Sequence, residues 1–181
     1  QVHVDRELSR SIADGLLREG FDIAVSSKMN PLSQPKRGVP HGLGNTAFNM
    51  FPSLDLPVVL IFVNVDDGPP AILNGERCYE LGQAIARICE SSGKRIAMYG
   101  SGGMSHDPGG PRASWIDQPL DLWFMDQLKG GTMSNLKSMF SFPSENFKGG
   151  TGELRCWITV AGAVDYVSPG HKALMVDYMA A

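Results

Sequence analysis

The chain has 181 residues, enough for one well-cored domain of ordinary size. Hydrophobic residues make up 43% and charged residues 19%, a globular balance, while a net charge of -3 argues against a nucleic-acid-binding surface. No apolar run approaches the roughly 20 residues of a membrane span, so a cytoplasmic protein with no membrane contact is expected.

Leu8, Ile12 and Leu16 recur every four residues among Asp5, Arg6, Glu7 and Arg10, which predicts an amphipathic helix stopped at Gly20. Phe21, Ile23 and Val25 alternate, as in a short strand. Residues 26–45 hold Pro31, Pro35, Pro40, Gly38, Gly42 and Gly44 and read as a long irregular loop. Residues 57–65 are apolar on both faces, as in a central strand of a covered parallel sheet. A helix over about 76–92 follows, with Leu81, Ile85 and Ile88 on its inner face and Gly93 as its cap.

Residues 94–99 read as the next strand, completing a βαβ unit with a right-handed crossover. Helices are then predicted over 119–128, 132–140 and 153–164. The expected fold is α/β: a mostly parallel central sheet with flanking helices, in one domain spanning residues 1–181. Cys78, Cys89 and Cys156 have no CxxC spacing and read as reduced, buried thiols.

Chemistry concentrates after the strand at 94–99. Gly100-Ser101-Gly102-Gly103-Met104-Ser105-His106 places an imidazole on a glycine loop at a strand's carboxyl end, where open α/β sheets bind ligands. His106 suits proton transfer near neutral pH. The dinucleotide fingerprint is incomplete and there is no Walker loop, so phosphate binding is the weaker reading. His41 is framed by Pro40 and Gly42 and reads either as a functional imidazole or as a surface one. His3 and His171 read as unremarkable surface positions. Glu153 opens an apolar helix, where the helix dipole alone would explain an acid.

The glycine loop, then Gly110-Pro111-Arg112-Ala113-Ser114-Trp115-Ile116-Asp117, then residues 120–128 and 152–163, in that order, resemble the class III extradiol ring-cleaving dioxygenases of the protocatechuate 4,5-dioxygenase catalytic-subunit type. Cys78 to Gln83 is similar to that family's crossover helix. The resemblance implies that His106 is the acid/base histidine beside an Fe(II) ion and that His41 is the second active-site histidine, although Pro40 stands where an aspartate is usual. It makes Glu153 the carboxylate of a two-histidine, one-carboxylate iron site. Ser105 and Arg112 are the substrate-side candidates, Arg112 as the partner of a carboxylate.

The family's two iron-binding histidines are expected ahead of residue 1, because His3 matches neither, so the chain reads as a domain lacking its N-terminal part. The implied partners are a catechol of the protocatechuate or gallate kind and O2, with a homo-oligomer or a small second subunit. The implied product is a ring-opened semialdehyde. The alternatives are a non-catalytic binding or assembly subunit on the same scaffold, without iron, and a metal-dependent hydrolase using His106 as base.

Overall fold

The computed structural model describes residues 3–26, 41–53, 55–65 and 73–180. The chain divides into two compact units, residues 1–61 and 62–181.

In the first unit, α1 (Arg6–Arg18) forms where the four-residue spacing puts it. Asp5 caps its start by accepting from the Leu8 N–H at 2.9 Å, and Leu8, Ile12 and Leu16 are its buried stripe. A second helix, α2 (His41–Met50), occupies the end of the segment read as loop. Its glycines had marked it as irregular, but the chain turns helical from His41 and Ala47 is buried. The rest of that loop, residues 27–40, lies outside the described residues.

In the second unit, α3 (Gly75–Glu90) and α5 (Leu154–Val167) form the central pair. A methyl group at Gly82 would overlap the Thr159 carbonyl oxygen, and one at Gly162 the Tyr79 carbonyl oxygen. Glycine at both crossing points therefore lets two backbones touch where any other residue would hold them apart. Around this seam Cys78, Tyr79, Phe124, Leu136, Leu154 and Ile158 form a continuous apolar core. Helix α4 (Gln118–Gly130) adds Phe124 to it and ends at Gly131, whose φ of 74° is the left-handed conformation of a helix stop. Residues 133–138, predicted as α-helix, form the tighter 3-10 turn Met133–Ser138.

The expected parallel sheet is not there. Among the described residues the only strand pairing is a single parallel bridge between Val4 and Val58, and about half of those residues are helical. Residues 57–65 and 94–99 have no regular secondary structure and form no ladder, so the βαβ unit fails with them. Apolar runs at strand length report burial preference, but a strand exists only when a neighbour takes its backbone hydrogen bonds. Here residues 3–5 offer an edge at Val58 alone, with the Asp5 N–H donating to the Val58 carbonyl at 3.0 Å and the Val58 N–H to the His3 carbonyl at 2.8 Å, and the pairing goes no further among the described residues. No described helix is long and apolar enough to cross a membrane.

Candidate active site on the glycine loop

The glycine loop lies against the start of α5. Gly102 has a φ of 154° and sits so close to Glu153 that an added Cβ would lie 2.7 Å from the Glu153 Cβ. The next residue, Gly103, donates its N–H to Glu153 Oε2 at 2.6 Å. The Trp157 indole, one turn further along α5, donates to the Gly102 carbonyl at 3.0 Å. Two helix residues thus hold two consecutive loop glycines.

His106 follows the turn. Its Nδ1 lies 2.7 Å from the Met104 carbonyl oxygen, a partner that can only accept. Nδ1 therefore carries the proton, and Nε2 of the neutral ring keeps its lone pair. That Nε2 is 3.8 Å from Glu153 Oε2, with the two side chains 31% and 34% exposed. The pair is open enough to meet a ligand and close enough to act on one together. The backbone is fixed as well: His106 N–H donates to Thr151 Oγ1 at 3.3 Å, and Thr151 N–H donates to the His106 carbonyl at 3.2 Å. The ring runs between Gly103 and Gly150, and a side chain at either glycine would collide with it.

Behind the loop, Asp121 of α4 is a buried acid, 1% exposed. Its Oδ1 accepts from the Ser105 N–H at 2.9 Å, and its Oδ2 accepts from the Ser105 hydroxyl and the Tyr178 hydroxyl, both at 2.9 Å. Ser105 Oγ accepts from the Asp117 N–H at 2.7 Å, which joins the loop to the cap of α4. Burial, then the bond to Asp121 and its charge, push the Tyr178 hydroxyl up to about 12, so at neutral pH it donates. Arg112 lies 3.6 Å from Asp107 through Nε and stacks over Trp115, with 4.4 Å from its guanidinium carbon to the ring centroid.

A cavity of about 340 Å3 opens beside this network, lined by Met104, Ser105, His106, Trp157 and Tyr178 among others. The structure thus brings together His106, Ser105 and Glu153, with Arg112 in the same loop. The Ser105 hydroxyl is engaged on both sides within the protein, and Arg112 faces Asp107. The side chain of His41 lies outside the described residues, and its backbone opens α2 in the other unit.

Sequence reasoning missed Asp121, Thr151 and Tyr178. A signal existed for one of them: Asp121 shares a helix face with Phe124 and Met125, and an acid in an apolar stripe asks for partners. All three cysteines are free, and burial pushes the Cys78 thiol up to about 12, in keeping with inert thiols.

Iron tests the donor set. Among the described residues no three His, Cys, Asp or Glu side chains converge on a point that could hold a metal ion. Glu153 and His106 alone do not make a two-histidine, one-carboxylate site.

Residues 1–179 match a family model described as the catalytic LigB subunit of aromatic ring-opening dioxygenase. The chain belongs to that family. A Pseudomonas putida 2,3-dihydroxyphenylpropionate/2,3-dihydroxicinnamic acid 1,2-dioxygenase is 36% identical over 118 residues, 64% of this chain and 34% of the relative. Its counterpart from Klebsiella pneumoniae subsp. pneumoniae is 35% identical over 130 residues, 71% of the chain and 37% of the relative. One from Cupriavidus necator is 33% identical over 121 residues, 66% and 36%. The matched stretch is therefore about a third of each of these relatives. The family expectation from the sequence stands; the narrower protocatechuate 4,5-dioxygenase type is not what these relatives are named for.

Proposed function

We propose that this chain carries the acid–base part of an extradiol ring-cleaving site that acts on a catechol and O2. The carrying observation is the His106 ring, with Nδ1 2.7 Å from the Met104 carbonyl oxygen and Nε2 on the side where Glu153 stands 3.8 Å away. In this reading Nε2 takes a proton from a catechol hydroxyl, leaving a catecholate and an imidazolium. The imidazolium returns the proton as the ring opens. O2 is the oxidant, the ring carbon–carbon bond beside the hydroxyls breaks, and both oxygen atoms end in a semialdehyde product. Acid–base help of this kind contributes about 100- to 10,000-fold.

Fe(II) enters through the family resemblance, with Glu153 as its carboxylate ligand and two imidazoles expected ahead of residue 1. The described residues do not complete that set. His41 is carried in this reading as a second active-site imidazole. Ser105 and Arg112, the substrate-side candidates, are supported chiefly as residues that fix the loop, through Asp121 and Asp107. Assembly with copies of itself or with a small second subunit in the cytoplasm belongs to the same reading.

The test is His106→Ala in the full-length protein. Turnover of catechols should fall by about 100-fold or more while bound iron, measured by metal analysis, stays at the level of the parent. Unchanged turnover rejects the assignment. The second reading, a non-catalytic scaffold, predicts that the parent protein itself binds no iron.

A further inference from the structure

The cavity beside His106 has a wall made by the last described stretch of chain. Residues 171–180 run without regular secondary structure past α4 and are attached to it twice. The Ala173 N–H donates to the Leu128 carbonyl at 3.0 Å, and the Tyr178 hydroxyl donates to Asp121 at 2.9 Å. Ala173, Met175 and Tyr178 are partly buried while Leu174 and Val176 are about 90% exposed, so this segment presents one face inward. Met175 and Met179 line the cavity from this segment, with Met179 80% exposed, together with Ile116, Met125 and Trp157.

Its charges are one-sided. Asp121 and Asp177 line the cavity, and no Lys or Arg among the described residues does. Arg112, the cation of the loop, is paired with Asp107 instead. A ligand carboxylate entering here would meet those two acids with His106 as the one basic side chain among the described lining residues, which is unfavourable. A methyl or alkyl group would meet thioethers and an indole, which adapt to apolar shapes.

We propose that Met175, Met179 and Tyr178 are specificity-determining residues of this site, and that they select a catechol whose ring substituent is uncharged and apolar over one that carries a carboxylate there. Tyr178 acts by holding the segment against Asp121, and the methionines act by contact. This rests on the ring-cleaving reading above and narrows its substrate.

The experiment compares two pairs of catechols matched in shape: 4-methylcatechol with 3,4-dihydroxybenzoate, and 3-propylcatechol with 2,3-dihydroxyphenylpropionate. For the full-length protein, kcat/KM is measured with each, and anaerobic binding is followed through tryptophan fluorescence, since Trp157 lines the cavity. The uncharged member of each pair should be preferred about 10-fold or more in both measurements. Met175→Lys should erase or reverse that preference by supplying the missing cation, with thermal melting as the check that the variant folds. Should Met175→Lys melt early, Met179→Lys serves in its place on the same wall. A carboxylated substrate preferred by the parent, or a ratio unmoved in the lysine variant, overturns the proposal. A protein that binds the uncharged catechols more tightly yet cleaves none overturns the ring-cleaving reading and leaves the selectivity of the cavity supported.

Discussion

The seam between α3 and α5 and the loop that carries His106 belong to the same unit and are held in different ways. At the seam, two glycines bring helix backbones into contact and apolar side chains fill the surroundings, with Cys78, Leu154 and Ile158 fully buried. The loop has little apolar mass of its own. It is fixed by directed polar contacts: Gly103 to Glu153, Ser105 to Asp121, His106 to Thr151, and Arg112 to Asp107. Packing tolerates neither added volume nor an unpaired polar group. A hydrogen-bonded loop depends besides on each of its partners, and losing one costs it its position. The first region sets whether the unit folds, and the second sets where an imidazole points.

The comparison breaks most easily at the seam. Gly82→Ala forces a methyl into the Thr159 carbonyl, so the helices must separate. Urea unfolding should show a loss near the top of the ~1–3 kcal/mol range for overpacking, or beyond it. An unshifted midpoint would mean that the helices do not meet there.

Asp121→Ala comes next. It strands two buried donors on Ser105 and a partly buried one on Tyr178, for a cost of about 1–3 kcal/mol. Its larger effect should fall on activity, since the residue after Ser105 is His106. A variant that melts early while keeping full turnover would show that the loop does not need this anchor.

Tyr178→Phe is the smallest, about 1 kcal/mol, because it removes a single hydrogen bond and leaves the ring in place. The sign with pH is set by the raised hydroxyl. Its folded value is about 12 against an ordinary 10.0, so the contribution is complete below about pH 10 and is lost as the pH rises toward 12. Melting curves of parent and variant should therefore converge in strong alkali and differ at neutrality.

What was legible in the sequence follows from what each feature depends on. Helices α1, α3, α4 and α5 could be read because their signal is local, apolar residues recurring every three to four positions, although α3 ends at a Ser91 cap ahead of the expected Gly93. The sheet could not, because an apolar run at strand length does not say which segment will hydrogen-bond to it. His106 stood out by its glycine setting and Glu153 through the family resemblance, and the structure does bring them together, 47 positions apart, through the bond from Gly103. Asp121 itself carried a signal, as an acid in an apolar stripe, but its partners were illegible for a plainer reason. Its partners lie 16 and 57 positions away, and no local pattern encodes such distances.

The slot formed by Gly103 and Gly150 has a consequence for timing. A flat ring clasped between two stretches of main chain cannot swivel about its own bond unless those stretches part. The heading of that imidazole is thereby written into the path of the polypeptide, and it would already be set before any visitor arrives.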